Sequence, residues 1–382
     1  MTMESKRTID NCQKRKDNRV ILLTGAGASQ GLGYPTFDEL RRFVANENGE
    51  IGFIIQNASI ELESQINRSA EYEASIIMLR EYERINRVLK TDRVLGNMYK
   101  PIPGIREGEI EDKLKQAMEK CYRVLWEQYG PHRIDRKGKA FAALPIMFEQ
   151  MASRNHGVLD IYTTNYDCSY QVLASSCDNV SFYSHIDNQT GEFNEGCWYN
   201  PNIDICNEGI PKIYIHRLHG CVAWVNANRL DENGVFYERF GAGTTDIAAH
   251  AINDATLDNM CIKLIASQPI LGTNRVFTSA YEEFSEQLEK IDILLVWGYS
   301  FRDPEITRTI NSVLLVRRDR PFRIHYIDPF LSEAAALHNI QLTLRAASTL
   351  RAEAFTPKWV DWIPGDGRES LINKIITIIE EV

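Results

Sequence analysis

The stretch NRVILLTGAGAS, residues 18–29, decides the fold class of this chain. Its first half is an apolar run of β-branched and leucine residues, which is typical of a buried parallel strand. The run ends abruptly in glycine and alanine, and such small residues allow the backbone to turn sharply into a helix. The stretch therefore predicts a buried strand followed by a tight strand–helix turn.

Further apolar runs of the same character recur along the chain, at residues 158–163, 212–218, 291–297 and 322–327. Helical periodicity lies between several of these runs, as in residues 279–290 (SAYEEFSEQLEK). Strands that alternate with helices predict an α/β fold with a Rossmann-like parallel sheet. In such folds the ligands bind beyond the carboxyl ends of the strands.

The interval between the first two predicted strands, about residues 45–150, shows helical spacing without strand-like alternation. We therefore expect a helical insertion subdomain there, with a break between its helices at residues 101–104 (PIPG). Residues 1–17 form a polar N-terminal segment, and residues 18–345 form the α/β domain that contains the insertion. Residues 346–382 form a C-terminal extension that ends in an amphipathic helix.

The last predicted helix carries an apolar stripe made of Leu371, Ile372, Ile375, Ile376 and Ile379. Two explanations fit such a stripe, namely contact with the chain's own sheet or contact with another copy of the chain.

Composition and charge exclude several classes of protein. The 382 residues are 44% hydrophobic and 25% charged, as in ordinary globular proteins. The 43 basic and 52 acidic residues give a net charge of −9, which disfavours direct contact with nucleic acid or anionic lipid. The N-terminus lacks the apolar stretch of a signal peptide, and the apolar runs are shorter than the roughly 20 residues that a membrane helix needs. We expect a cytoplasmic protein.

The eight cysteines include no C-x-x-C pair. Neither a zinc ribbon nor a thioredoxin-type motif is therefore present in the sequence. We expect reduced, mostly structural thiols and no bound metal.

Polar residues follow two of the predicted strands. Asn165 and Asp167 follow the second strand, where they either face the crevice and bind ribose hydroxyls or a water, or form an Asx-type turn before a helix near Cys168. His219 precedes a glycine at the end of the next strand, which suits a general base in the crevice. His216 would point to the opposite face of the sheet, so the two histidines are not expected to share a metal.

The remaining strand ends suit a nucleotide. The small residues of Gly25–Ser29 would let the backbone approach a pyrophosphate, although a tight turn without any ligand also explains them. Gly298 and Ser300 suit phosphate contacts, and Asp328 suits a ribose.

The order of these motifs along the chain resembles the sirtuin family of NAD-consuming enzymes. The motifs are G-A-G-x-S, T-x-N-x-D, L-H-G, G-x-S and I-D, each placed after a predicted strand. The resemblance covers the strands from about residue 18 to 330, and it implies that NAD is the substrate. It implies catalytic roles for Asn165, His219 and Asp167, and NAD contacts by Gly25, Ala26, Gly27, Ser29, Pro35, Phe37, Gly298, Ser300 and Asp328.

Two departures from the family pattern bear on the reaction. Protein deacylases of the family have Asp and Arg on the two sides of the loop phenylalanine, whereas Thr36 and Asp38 flank Phe37 here. The four-cysteine zinc module that follows the family's catalytic His-Gly is replaced by residues 221–225 (CVAWV). With these departures the chain resembles the sirtuin-like NAD hydrolases of bacterial antiphage defence. Within that branch, its size and its single predicted catalytic domain without a sensor domain resemble the subunit that is partnered with a HerA-type ATPase.

This resemblance implies an NAD glycohydrolase that releases nicotinamide and ADP-ribose and depletes NAD during infection. It also implies a HerA-type ATPase as the candidate partner. We further expect a homo-oligomer, assembled through the helical insertion or through the terminal helix. Two alternatives remain at this point: an NAD-dependent protein deacylase, and a non-catalytic regulatory subunit that binds NAD or ADP-ribose.

Overall fold

A parallel sheet of seven strands organises this computed structural model. The structure describes residues 20–36, 123–174, 176–177, 179–184, 209–226, 236–238, 260–262, 275–301, 303–317, 322–327, 333–344, 352–355 and 371–380. Its strands are β1 (Val20–Thr24), β2 (Val158–Thr163), β3 (Ser181–Ser184), β4 (Lys212–Arg217), β5 (Gly220–Asn226), β6 (Phe236–Glu238), β7 (Met260–Ile262), β8 (Ile293–Trp297), β9 (Arg323–Ile327) and β10 (Ala352–Phe355).

The helices cover both faces of this sheet. They are α1 (Ala26–Gln30), α2 (Lys139–Arg154), α3 (Ser169–Ala174), α4 (Arg275–Leu288), α5 (Pro304–Val316), α6 (Glu333–Thr343) and α7 (Leu371–Glu380). A 3₁₀ turn spans Pro131–Arg133, and residues 123–129 are also helical.

The strand order of the main sheet is β10-β9-β8-β1-β2-β4-β3, and all neighbouring strands are parallel. The last residue of β1, Thr24, is level with Thr163 of β2 and with Trp297 of β8. Thr163 is in turn level with Arg217, the last residue of β4. The residues that follow these four strands therefore leave the sheet at one common edge.

This architecture confirms the predicted α/β fold with a Rossmann-like parallel sheet. The five apolar runs of the sequence form β1, β2, β4, β8 and β9, which occupy the interior positions of the sheet. The two edge strands, β3 and β10, are short and carry little apolar character, so the sequence analysis did not identify them.

Alternation along the strands divides the core into two halves. Val20 and Leu22 of β1 face the side that is covered by α2, α3 and α7. Ile21 and Leu23 face the side that is covered by α4, α5 and α6. Strands buried on both faces require the nearly continuous apolar runs that the sequence shows.

The C-terminal helix α7 lies on helix α2 of the same chain. Ile372, Ile375 and Ile379 of the predicted stripe are buried there and join the core on that side of the sheet. An ion pair between Arg154 and Glu380 links the ends of the two helices. The buried part of the apolar stripe is therefore covered within the chain, where α7 packs on helix α2.

One predicted boundary, the end of the insertion at about residue 150, falls within a helix of this core, and part of the predicted C-terminal extension belongs to the main sheet. Residue 150 lies inside α2, which packs against β2, and residues 352–355 of the C-terminal segment form the edge strand β10. Most of the predicted insertion, residues 45–122, and the N-terminal residues 1–17 lie outside the described residues.

A second, small sheet begins immediately after the candidate catalytic histidine. Strand β5 starts at Gly220 and pairs in antiparallel fashion with both β6 and β7. Within the described ranges, no helix is long and apolar enough to cross a membrane.

Asn155 connects the beginnings of β1 and β2. Its Oδ1 accepts a hydrogen bond from the Val20 amide at 3.2 Å, and its Nδ2 donates to the carbonyl oxygens of Val20 and Val158, each at 2.8 Å. The side chain is buried. A single amide thus satisfies backbone groups of two neighbouring strands at the end of the sheet opposite the candidate site.

We expect Asn155→Ala to lower the free energy of unfolding by about 2–4 kcal/mol, because buried backbone groups would lose their partners. Urea denaturation followed by circular dichroism measures this change. Arg154→Ala is the neighbouring control, and it should change the stability by only about 0–1 kcal/mol because its ion pair is half exposed. Equal effects of the two substitutions would contradict the role given to Asn155.

Candidate functional site

The candidate site lies at the carboxyl-terminal edge of β1, β2, β4 and β8. Gly25 and Gly298 directly follow β1 and β8, while Asn165 and His219 lie two residues beyond β2 and β4. The ends of β2 and β4 are joined by the backbone, because the Leu218 amide donates to the Thr163 carbonyl at 2.9 Å. The aligned register of the strands thus brings residues from four separate stretches of sequence to one edge.

The turn after β1 is in direct backbone contact with the turn after β8. The Gly25 amide donates to the Trp297 carbonyl and the Gly27 amide donates to the Gly298 carbonyl, each at 3.0 Å. A Cβ atom on Gly25 would lie 2.6 Å from the Gly298 oxygen. The glycines are therefore needed for contact between two parts of the backbone, and the Gly25 and Gly27 amides are paired within the protein.

Asn165 is held firmly from one side. Its Nδ2 donates to the Gly25 carbonyl at 2.9 Å and to the Ser29 hydroxyl at 2.7 Å. Because a carbonyl oxygen only accepts, the atom facing Gly25 is the amide nitrogen, which also identifies Oδ1. Asn165 is only 6% exposed, and its buried Oδ1 has no partner among the described residues.

The backbone of Asn165 is held by a buried arginine of β4. Arg217 Nη1 donates to the Asn165 carbonyl at 3.1 Å, and Nη2 donates to Gln171 Oε1 at 2.5 Å. The guanidinium also lies over the Tyr170 ring, 5.9 Å from its centroid. Arg217 is 1% exposed, so a buried positive charge lies directly behind the candidate catalytic amide.

Asp167 lies just before helix α3. Its Oδ1 accepts a hydrogen bond from the Ser169 amide at 2.9 Å, as in an Asx-type turn. The structure therefore shows the turn that the sequence analysis gave as the alternative for this residue. A direct role of the Asp167 carboxylate in the reaction stays a prediction.

His219 is held by a carboxylate from the other half of the sheet. Its Nε2 lies 2.6 Å from Asp303 Oδ2, and the Tyr281 hydroxyl donates to the same oxygen at 3.1 Å. Both His219 and Asp303 are 1% exposed. The Tyr166 ring lies beside the imidazole, with 6.2 Å between the ring centroids.

Burial keeps the neighbouring hydroxyl group protonated. Burial and, secondarily, the Asp303 charge raise the pKa of Tyr281 well above its usual value. Tyr281 is therefore a hydrogen-bond donor to the Asp303 carboxylate throughout the physiological pH range.

His216 belongs to a second, separate pair. Its Nε2 lies 2.7 Å from Asp160 Oδ1, and both side chains are fully buried. The His216 ring stacks on Tyr162, with 4.2 Å between the centroids. His216 and His219 thus have different carboxylate partners, and within the described part of the chain no group of three or more His, Cys, Asp or Glu could hold a metal.

Buried thiol and phenol groups lie behind the site. The sulfur atoms of Cys168 and Cys221 are 4.0 Å apart, and neither residue forms a disulfide. Burial, followed by the hydrogen bond with Cys221, raises the pKa of Cys168 well above its usual value. The Tyr34 hydroxyl is buried without a partner among the described residues, and burial likewise raises its pKa.

The other predicted site residues are Pro35, Ser300, Phe37 and Asp328. Pro35 is buried next to Tyr34, and Ser300 is exposed beyond the end of β8. Phe37 and Asp328 lie outside the described residues. Their predicted NAD contacts therefore stay predictions.

The sequence analysis did not identify Asp303, Tyr281 or Arg217. Asp303 carries a recognisable signal, since an aspartate before proline is typical of a helix N-terminus. That signal predicts the start of α5, which the structure confirms, but it does not predict a partner 84 residues away. Arg217 and Tyr281 carry no local signal that separates them from other residues of their strand and helix.

Comparison with known proteins yields similarities to solved structures only. No family model matches the chain, and no curated protein matches it. One matching structure is a complex of a Sir2 homologue with NAD, with a TM-score of 0.40 over 100% of this chain and 95% of that chain. A second is a structure of Sir2 enzymes on their mechanism and regulation, with a TM-score of 0.39 over 100% of this chain and 98% of that chain. A third is a complex of a mutant Sir2 homologue with ADP-ribose, with a TM-score of 0.40 over 100% of this chain and 97% of that chain. Each is 12% identical to this chain. Similarities at this level carry no argument about function, which rests on this chain's own residues.

The contact between the two turns can be tested at Gly298, where φ is +60°. A Cβ atom there would lie 2.3 Å from the Ala28 nitrogen and 2.5 Å from the Gly27 carbonyl carbon. We expect Gly298→Ala to separate the turns and to lower the melting temperature strongly, because neither backbone segment has a flexible side chain that could yield.

Gly157→Ala is the matched control, since Gly157 has a φ of +81° and a Cβ atom there would meet no other group within 4 Å. This substitution carries only the cost of a left-handed alanine, about 1–2 kcal/mol. Differential scanning calorimetry measures both variants. Equal losses of stability would show that φ alone, and not the contact between the turns, requires glycine at position 298.

Proposed function

We propose that this chain is an NAD glycohydrolase, which cleaves the bond between nicotinamide and ribose. The observation that carries the proposal is the Asn165 side chain. Its nitrogen is anchored to Gly25 and Ser29, and its oxygen is buried without a partner among the described residues. A buried acceptor of this kind costs about 1–3 kcal/mol when it is left unpaired, so a donor from water or from a ligand hydroxyl is expected there.

Asn165 Oδ1 would bind the attacking water or a hydroxyl of the nicotinamide ribose. Because Oδ1 only accepts, it orients either group with a hydrogen directed at the amide and an oxygen lone pair directed away from it. The anchored Nδ2 keeps this acceptor in place without reorganisation during the reaction, which is the condition for effective preorganisation.

His219 would act as the general base toward that water or ribose hydroxyl. Imidazole titrates near neutral pH, and a positioned general base typically contributes about 10²–10⁴-fold to the rate. The imidazole stays near the Asn165 segment, because the Val222 amide donates to the Tyr166 carbonyl at 2.9 Å and so joins the two loops.

The proposed hydrolysis requires few further groups from the protein. Nicotinamide departs as a neutral molecule, and water adds to the ribose carbon that it leaves, so the products are nicotinamide and ADP-ribose. The proton released by the water passes to His219. No covalent intermediate with the enzyme is required, and Asp167 would stabilise the local charge near the ribose.

The rest of NAD would extend along the same edge of the sheet. We propose that the phosphates lie against Gly25, Ala26, Gly27 and Ser29 together with Gly298 and Ser300, and that Pro35, Phe37 and Asp328 make further contacts. Because the amides of the three glycines are paired within the protein, these glycines would contribute close approach of the backbone and not amide donors. The exposed Ser300 and the position of all four strand ends at one edge support this assignment.

Hydrolysis is favoured over protein deacylation by the segment after His219. Strand β5 begins at Gly220, so the residues directly after the histidine are paired with β6 and β7. Thr36 and Asp38 also replace the residues that flank Phe37 in deacylases of the sirtuin family.

In the cell, we propose that the activity depletes NAD in antiphage defence, with a HerA-type ATPase as partner.

The experiment is nicotinamide release from NAD by the purified chain, with and without an acetylated peptide. We expect release that does not depend on the peptide and falls at least about 10²-fold in His219→Ala and in Asn165→Ala. His132→Ala, which removes an exposed histidine, should leave the rate unchanged. Circular dichroism confirms that each variant is folded.

Each alternative predicts a different result in the same assay. Release that requires the acetylated peptide would identify a deacylase. NAD binding without release, even after addition of the ATPase, would identify a regulatory subunit. Wild-type rates in both His219→Ala and Asn165→Ala would contradict the proposed roles of these residues.

We also propose that the chain assembles as a homo-oligomer. Because Ile372, Ile375 and Ile379 of the α7 stripe are buried within the chain, we assign the assembly surface to the predicted insertion. Light scattering at micromolar concentration should therefore give an oligomeric mass, and Asn373→Lys on the exposed side of α7 should not change it. A monomeric mass would refute the proposal.

A further inference from the structure

The Asp303 carboxylate is shared between a helix terminus and the candidate catalytic histidine. One oxygen, Oδ1, accepts from the amides of Glu305 and Ile306 at 2.7 and 3.4 Å, and so caps helix α5. The other oxygen, Oδ2, contacts His219 Nε2 at 2.6 Å and accepts from the Tyr281 hydroxyl at 3.1 Å. Each carboxylate oxygen therefore has a separate task.

These contacts determine which nitrogen of His219 carries the proton. A carboxylate that receives donors from two backbone amides and a tyrosine is held in the ionised, acceptor-only form. The nitrogen that faces it, Nε2, must therefore carry a hydrogen. In the neutral imidazole the lone pair is then on Nδ1, which becomes the nitrogen that can take a proton.

The position of Asp303 is set by the turn that leaves β8. Phe301 adopts a φ of +55°, a left-handed conformation that is unusual and strained for a bulky residue. Its ring is held between Tyr299 and Tyr326, at centroid distances of 5.2 and 5.8 Å. The sharp turn places the first turn of α5, and with it Asp303, against the loop that contains His219.

We propose that Asp303 is a positioning residue for the reaction, which holds His219 with its proton on Nε2 and presents Nδ1 as the base. This inference rests on the proposed role of His219 as the general base. Asp303 acts through the imidazole and does not itself touch the reacting atoms. Tyr281 supports it from helix α4 by donating to the same carboxylate oxygen.

Asp303→Asn separates this role from the capping role, because asparagine caps helices as well as aspartate does. With Oδ1 retained at the Glu305 amide, the new Nδ2 would face His219 and donate to Nε2. The imidazole proton would then move to Nδ1, and the base would be lost. We expect the kcat for nicotinamide release to fall at least about 10²-fold while the KM for NAD changes little.

The tautomer itself provides a readout that does not depend on activity. Long-range ¹H–¹⁵N spectra of the histidine-labelled protein distinguish Nε2–H from Nδ1–H, and the spectrum of His219→Ala identifies the His219 signals among the eight histidines. We expect Nε2–H in the wild type and Nδ1–H in Asp303→Asn. An Nδ1–H tautomer in the wild type would overturn the inference without the need for any Asp303 variant.

Asp160→Asn is the matched control, since Asp160 makes an equally buried contact with His216 at 2.7 Å. It should shift the His216 signals and lower the melting temperature, but leave the His219 tautomer and nicotinamide release unchanged. Near-wild-type release by Asp303→Asn, in an assay where His219→Ala is inactive, would overturn this inference and leave the proposed function intact. Near-wild-type release by His219→Ala would instead overturn the proposed function.

Discussion

Backbone contact between the turns after β1 and β8 is the constraint on which the site depends. The two turns approach so closely that a Cβ atom on Gly25, Gly27 or Gly298 would lie within 3.0 Å of the backbone of the other turn. Gly298 also donates its amide to the Ile327 carbonyl at 2.9 Å, so the ends of β1, β8 and β9 are joined. This contact leaves the Gly25 carbonyl in position to accept from Asn165, and it fixes the start of the turn that leads to Asp303.

Polar groups at the site follow one physical rule. Each candidate catalytic side chain uses part of its hydrogen-bonding capacity within the protein, and the proposed reaction uses the atom that this leaves. Asn165 is anchored through Nδ2 by residues that follow β1, and His219 is anchored through Nε2 by Asp303, which follows β8. Because these groups are buried, losing an anchor would leave an unpaired polar atom, which is costly in a low-dielectric interior. Anchoring therefore provides both stability and a defined orientation.

The two His–Asp pairs show how position decides role. His216 and Asp160 lie within the sheet, fully buried between strands β2 and β4, where they join the strands and contact Tyr162. His219 and Asp303 make a pair of similar length at the edge of the same sheet, where the strands have ended. The chemistry of the pairs is the same, and only the second one lies where a ligand of a parallel sheet binds.

Local patterns in the sequence were enough to predict the five interior strands, the parallel α/β class and the C-terminal helix. They also selected Asn165 and His219 as candidate site residues, because polar residues at strand ends can be recognised one segment at a time.

The three-dimensional arrangement was needed to see that Gly25, Gly27 and Gly298 serve a backbone contact. It was also needed to see that Asp167 forms the turn before α3 and that α7 packs on α2. Only the tertiary structure showed that His219 contacts Asp303 and that Arg217 donates to the Asn165 carbonyl. These relations join residues far apart in the chain, and no local pattern records them, since the register of the parallel strands sets which strand ends meet.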